Sequence, residues 1–284
     1  MVEIGEKISY FRKAKGLSIR ELSKDICDES TIYRLEKGKQ MPRLEILNDI
    51  CLKLEISFNT LFPFNKEVED LKKLCREFTY QEDFLSLEIT LDACYEVLEE
   101  IKSVYARVEF HRFIQWHHAI LLHKRDKQDT AAINLLDSLV KLNHCGSELD
   151  INILNSKGLI YLSINNNVEA HKIYEVIYKK IKRYQYTQDY TLLPRVGYNH
   201  ASALYKLKKY EEALKIALEL LYYSESNQLL YQLGELHHMI GLLYKKLNSS
   251  EEANEFLNKA ILIFSFTHNM MGKEKATRHL NSLL

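Results

Sequence analysis

Proline and glycine are scarce: three and nine residues in a chain of 284. Hairpins and tight turns consume both, so a fold of many short strands is excluded. No apolar run reaches the roughly 18 residues that a membrane-crossing helix needs. The opening stretch MVEIGEKISYFRKAKG is amphipathic and charged, without the apolar core of a secretory signal. Net charge is zero, 39 basic against 39 acidic side chains. That excludes an overall basic coat for nucleic acid and an acidic solvating tail. The five cysteines (27, 51, 75, 94 and 145) are odd in number and form no CxxC pair. Reduced thiols in a cytosol fit this better than a disulfide framework. Phosphate-cradling GxGxxG and GxxxxGK[ST] loops are missing, as is the GxSxG nucleophile turn. Eleven histidines contain no HExxH, so the ligand spacing of a metal site is lacking. The expectation is no catalytic residues, no metal and no cofactor: a binding protein, not an enzyme.

What is present is helical periodicity, in two regimes. Residues 1–63 hold short apolar periods broken at Lys15-Gly16, Gly38 and Met41-Pro42. They predict five helices, over about 4–15, 18–26, 30–37, 43–54 and 57–62. Ser18 can cap the second, with Glu21 three residues on as its reciprocal partner. Ile4, Ile8, Phe11, Leu22, Ile26, Ile32, Leu35, Leu44, Leu47, Ile50, Cys51 and Leu54 are the candidate core. Five short helices around one small core is the economy of a helix-turn-helix domain.

From about residue 66 the helical periods lengthen and repeat. Aligned on His123, Tyr161, Tyr205 and Tyr244, small residues fall three positions earlier at Gly158, Ser202 and Gly241. Alanines follow eight or nine positions later at 132, 170, 213 and 253. Anchor spacings of 38, 44 and 39 residues indicate tetratricopeptide-type helix pairs, with a degenerate pair at about 68–100. The small residues let the paired helices approach, and the anchor tyrosine is expected to fill the space between them. Stacked pairs form a superhelix with a concave groove. The expected fold class is therefore all-α: a helix-turn-helix domain at 1–63, a linker helix at 64–75, and a repeat domain at 76–284.

One register of the repeats is polar throughout: His117, Asn155, Asn199 and His238, six residues before each anchor. An Asn offers both a donor and an acceptor, so a pair of them can clamp an extended peptide backbone whatever its side chains. Ile114, Asn152, Val196 and Glu235 lie three residues earlier, and Leu121, Leu159, Ala203 and Leu242 four later. These would line side-chain pockets. Lys206 and Lys245, seven after the clamp, could meet a peptide carboxylate, and Glu235 a basic peptide residue.

In the first regime Arg12-x-x-Lys15-Gly16-Leu17-Ser18, Glu21-Leu22-Ser23 and Ile32-Tyr33-Arg34-Leu35-Glu36-Lys37-Gly38 closely resemble the Xre/Cro-type helix-turn-helix family. The usual glycine of its turn is absent, and Ile26-Cys27-Asp28-Glu29-Ser30 stands there. That turn, Phe113-Ile114-Gln115-Trp116 and Tyr198-Asn199-His200-Ala201 resemble the PlcR-like group of RRNPP quorum-sensing regulators, over nearly the whole chain. The resemblance implies a cytosolic homodimer that binds a palindromic promoter site, acts as an activator, and answers to a short re-imported signalling peptide held in the repeat groove. It also implies that Asn155 and Asn199 are peptide ligands, that Arg76 stands where relatives carry a peptide-contacting basic residue, and that Arg12 and Glu36 form an internal ion pair.

The recognition helix is expected at about 30–37, its first residues toward base edges in the major groove. Glu29, Ser30, Thr31 and Tyr33 could reach bases; Arg34, Lys37 and Lys39 could reach phosphate or base; and Arg20 is placed for either. Residues 1–64 carry 11 basic and 10 acidic side chains, so DNA binding requires the cations to gather on one face. Two other readings compete. The repeats could bind a protein partner, or the chain could be a peptide-inhibited response-regulator phosphatase.

Overall fold

The computed structural model describes residues 2–56, 61, 66–184 and 189–282. Every regular element among them is helical. The chain divides into two compact units, Met1–Glu77 and Phe78–Leu284.

The first unit holds α1 (Val2–Ala14), α2 (Ile19–Ser23), α3 (Glu29–Glu36), α4 (Leu44–Leu54) and most of α5 (Lys66–Gln81). The expected helix at 57–62 lies outside the described residues, Leu61 excepted. At α2 the reciprocal cap is formed: Ser18 Oγ accepts from Glu21 N at 3.1 Å, and Ser18 N donates to Glu21 Oε2 at 2.7 Å. The helix is shorter than the periodicity suggests. Asp25, in the turn between α2 and α3 where no glycine stands, takes the left-handed conformation (φ 67°). Asp tolerates that region better than most residues, which is how the turn closes without one.

Ile4, Ile8, Leu22, Ile32, Leu35, Leu47, Ile50, Cys51, Leu54 and Leu61 form the core, with Phe11 and Ile26 packed partly against it. Leu44 corrects the expectation: it is 67 % exposed. It shares the stripe of Leu47 and Cys51, but it opens α4 and the stripe outruns the core. Arg12 and Glu36 do form an internal pair. Arg12 Nε meets Glu36 Oε1 at 2.5 Å, its Nη2 meets Oε2 at 2.9 Å, and Nη1 donates to Leu17 O at 2.7 Å. Gly5 is the contact point of α1 with α3, since a Cβ there would stand 2.1 Å from Leu35 O. Gly5→Ala is expected to destabilise this unit by about 2 kcal/mol, because backbone must move and the helix-propensity gain of about 1 kcal/mol does not offset it. A denaturant midpoint equal to that of the unsubstituted chain would refute this.

The second unit runs through α6 (Phe84–Glu100), then pairs α7 (Val104–Lys124) with α8 (Asp129–Leu139), α9 (Glu148–Ser163) with α10 (Asn167–Tyr184), α11 (Leu192–Lys206) with α12 (Tyr210–Ser226), and α13 (Leu233–Lys246) with α14 (Ser250–Phe266). A last helix, α15 (Met270–Asn281), packs on α14. The division between the units falls inside α5, so the segment expected as a linker belongs to a helix that continues past residue 75. The repeat register holds: Ala132, Ala170, Ala213 and Ala253 are all fully buried.

The filler of the close approach is not the anchor tyrosine, however. Tyr161, Tyr205 and Tyr244 are half-buried. At Gly158 the space is taken by Tyr174 of α10, whose ring carbon Cζ lies 2.5 Å from where a Cβ would be; at Gly241 it is taken by Leu257. A missing Cβ admits the side chain of the facing helix, not one further along its own.

Candidate functional site

In the first unit the outward face of α3 carries the expected DNA-contacting side chains. Glu29, Ser30, Tyr33, Arg34 and Lys37 are exposed, Thr31 is half-buried, and Lys39 just beyond the helix is exposed. Arg20 projects from α2 with its Nε 3.9 Å from Glu29 Oε1. Arg34 Nη1 reaches Gln40 Oε1 at 3.4 Å. The inner face of the same helix, Ile32 and Leu35, is core. Burial therefore divides α3 into an anchored side and a presented side, and the presented side gathers four cations with Arg20 and Lys39. Arg76 is exposed on α5.

In the second unit a seam of hydrogen bonds ties α9 to α11. Asn199 Nδ2 donates to Asn155 Oδ1 at 2.9 Å. One helical turn earlier on both helices, Arg195 Nη2 donates to Asn152 Oδ1 at 2.9 Å. Toward the other end, Lys206 Nζ donates to Leu162 O at 2.8 Å. Three rungs at helical spacing hold two repeats in one register. Asn155 and Asn199 are 5 % and 9 % exposed, and Tyr174 Oη fixes the backbone beneath by donating to Asn155 O at 3.1 Å. The bond between the two amides uses one acceptor of Asn155 and one donor of Asn199. The Asn155 Nδ2 hydrogens, the second Asn199 Nδ2 hydrogen and the Asn199 Oδ1 atom are not used by that bond, so the pair keeps both donor and acceptor capacity.

The other residues of that register are placed differently. His117 is 1 % exposed, packs against Phe113 at a ring distance of 4.2 Å, and bonds Phe113 O through Nδ1 at 2.9 Å. It is a core histidine. His238 pairs with a second histidine instead, its Nε2 lying 2.8 Å from His279 Nδ1 on α15. Lys206 and Lys245 share one role, each bonding carbonyl oxygen at the end of a neighbouring helix. Lys245 Nζ reaches Ser282 O at 3.0 Å and Ser282 Oγ at 2.6 Å. Cations suit helix C-termini, and that is where both lysines are engaged. Glu235 accepts from Asn269 Nδ2 at 3.2 Å. Of the expected pocket-lining residues, Ile114, Leu121, Val196 and Ala203 are buried in the core, and Leu159 is 42 % exposed.

Arg195 is the residue that sequence reasoning missed. Counting three back from Asn199 lands on Val196, which is fully buried; counting four lands on Arg195, on the same face as Asn199. Its side chain also pairs with Asp189 at 3.1 Å. Burial raises the Asp189 pKa, but Thr191 and Arg195 outweigh it and the carboxyl is held below its ordinary value. Burial likewise raises Asp150, where Arg112 of α7 and the amides of Gly146 and Ser147 bring the net shift down.

Two histidines titrate far from their ordinary value. Burial, then His171, pushes His200 down to about 4; burial, then His279 and Lys275, does the same to His238. The unfolded chain binds these protons near pH 6.5 and the folded chain only near 4. Stability that is present above pH 6.5 is thus lost as pH falls toward 4. The loss should approach about 3 kcal/mol for each histidine. His238→Gln is expected to flatten the pH dependence of the melting temperature between 6.5 and 4; an unchanged slope would contradict the assignment.

Residues 8–61 match a helix-turn-helix family model. Residues 85–279 match the model described as the RNPP family C-terminal domain. No curated protein matches the chain significantly. Among solved structures, PlcR of Bacillus thuringiensis in complex with the peptide PapR7 and DNA is 22 % identical, with a TM-score of 0.81 over 97 % of this chain and 99 % of that one. ComR of S. thermophilus, in complex with DNA and its signalling peptide ComS, is 16 % identical with a TM-score of 0.62 over 99 % of each chain. The SHP pheromone receptor Rgg2 of Streptococcus dysgalactiae is 14 % identical with a TM-score of 0.67 over 99 % of this chain and 100 % of that one. At these identities the likeness is one of fold.

Proposed function

The chain belongs to the RNPP family, whose C-terminal-domain model spans residues 85–279, and from that premise we propose that it is a peptide-controlled transcription regulator. A homodimer binds a palindromic promoter site through Arg20, Glu29, Ser30, Thr31, Tyr33, Arg34, Lys37 and Lys39. Half-sites lie on the order of one DNA turn, or a multiple, apart. A short signalling peptide, re-imported into the cytoplasm, is held by Asn155 and Asn199, and its binding activates transcription. The observation that carries this reading is the Asn199–Asn155 hydrogen bond. It fixes both amides so that their unused donor and acceptor match one peptide unit, independent of side-chain sequence. Family and fold agree with it: PlcR and ComR are both solved with a peptide and DNA.

Control by peptide follows from linkage. The peptide must bind the DNA-competent dimer geometry more tightly than the other, and it shifts the population by that difference alone. The test is recovery of genomic DNA fragments by the purified protein, with and without short peptides extracted from the culture medium. Palindromic fragments enriched only with the extract are the expected result. Enrichment indifferent to the extract would leave DNA binding standing and overturn the peptide control.

A further inference from the structure

The side of α3 that carries the expected DNA contacts begins with a carboxylate, the wrong charge for a nucleic acid. Glu29 opens the helix, and its side chain is 59 % exposed. Ile32 and Leu35 of the same helix are core, while Glu29 is exposed together with Ser30, Tyr33 and Arg34. The first residues of such a helix meet base edges. A duplex carries one negative charge per roughly 1.7 Å of its axis, so a carboxylate held against the phosphates costs affinity. Beside a base edge it is tolerated on one condition, that it finds a hydrogen-bond donor there.

Its neighbour narrows the choice of base. Arg20 stands on α2, 86 % exposed, with its Nε 3.9 Å from Glu29 Oε1. That is beyond hydrogen-bond reach, so the two groups are adjacent but open. Among the described residues, neither side chain forms another ion pair or hydrogen bond. Arg34, the arginine of α3 itself, reaches Gln40 Oε1 instead. A carboxylate and a guanidinium thus lie side by side on two helices, free at their tips. The Glu29 oxygens accept, and beyond Nε both Arg20 Nη groups donate.

Only two bases offer a donor in the major groove, cytosine through N4 and adenine through N6. Adenine N6 lies between two acceptors, its own N7 and thymine O4, and both repel a carboxylate. Cytosine N4 has an acceptor on one side alone, guanine O6, with guanine N7 just beyond it. Those two acceptors are what a guanidinium takes bidentately. Along a C·G pair the edge therefore runs donor, acceptor, acceptor. From Glu29 to Arg20 the protein runs acceptor, donor, donor. The spacing agrees, since groups bonded to neighbouring edge atoms stand a few ångströms apart, as these two do at 3.9 Å.

We propose that Glu29 and Arg20 together read one C·G base pair in each half-site, Glu29 accepting from cytosine N4 and Arg20 donating to guanine O6 and N7. The inference rests on the DNA-binding reading above and not on the peptide reading. It adds to that reading a base pair and the two residues that choose it.

The test is selection of duplexes from a randomised DNA library by the full-length protein, with the short-peptide extract present, followed by sequencing. A palindrome with an invariant C·G pair in each half-site is expected. Glu29→Gln should exchange that pair for A·T, because a carboxamide donates as well as accepts and bonds adenine N6 and N7. Its affinity for the original site should fall roughly tenfold. Arg20→Ala should lower the discrimination against A·T at the same pair, again roughly tenfold. Both side chains are exposed, so both variants should melt as the unsubstituted chain does, which separates lost reading from lost folding. If Arg20 met a phosphate, Arg20→Ala would weaken every sequence alike and lower the salt slope by about one, and the proposal would fall. A library in which nothing is enriched would sink the DNA-binding reading itself. An enriched palindrome without the C·G pair, or one that Glu29→Gln selects unchanged, would overturn the proposal and leave that reading standing.

Discussion

Asn199→Ala should abolish the response to peptide while leaving the repeat unit folded. In the proposed clamp the side chain supplies an acceptor to the peptide, and it orients Asn155 by donating to its Oδ1 at 2.9 Å. Removing it takes away one hydrogen bond to the peptide and frees the other amide to turn. Each buried hydrogen bond left unmade costs about 1–3 kcal/mol, so peptide affinity should fall by roughly ten- to a hundredfold. The fold should lose only about 1 kcal/mol, because the other rungs of the seam, Arg195–Asn152 and Lys206–Leu162, are untouched. Asn155→Ala should behave alike. The double variant should be little worse than either single one, since the two amides act as one clamp. Affinity would be read by fluorescence polarisation with the peptide recovered from culture medium. A retained response in Asn199→Ala would sink the clamp assignment, and additive losses would mean that the two amides act separately.

Arg12→Ala should unfold the first unit selectively. The Glu36 side chain is only 8 % exposed, and both its oxygens are held by Arg12. Without the guanidinium a carboxylate stays buried beside Ile32 and Leu35, and Leu17 O also loses its donor. Removing one partner of such a pair costs about 3 kcal/mol, more than the pair itself is worth. That is a large fraction of the stability of a small domain. The expected result is a separate, low-denaturant transition for this unit, with loss of DNA binding and an unchanged second transition. Arg12→Met combined with Glu36→Leu should recover most of the stability, because no charge is then left buried. A single variant as stable as the unsubstituted chain would show the pair to be dispensable.

The legible parts of the chain share a local cause. The α2 cap needs only Ser18 and Glu21 three residues apart. Core positions such as Ile8, Leu22 and Ile50 follow from helical spacing, and the repeat from alanines in register. The illegible parts depend on what faces a residue. Gly5 carries no pattern at all, yet α3 comes within 2.1 Å of where its Cβ would be. Leu44 has the right spacing and no neighbour to cover it. His117 has the register of the clamp but meets Phe113 and Trp116 instead of the groove.

By itself the sequence determined that the chain is helical, that a helix-turn-helix unit precedes stacked helix pairs, and that Asn155 and Asn199 occupy equivalent positions in two of them. These are consequences of period and composition, which act within a helix. Only the tertiary structure decided that Asn155 and Asn199 bond each other, that Lys206 and Lys245 meet carbonyls at helix ends, and that His117 enters the core. Lys206 and Lys245 differ from a ligand-binding lysine only in having a carbonyl within reach, and His200 differs from a surface histidine only in being buried against α10. Equivalent positions in a repeat have the same backbone but not the same neighbours, and the energy of a polar side chain is set by its neighbours.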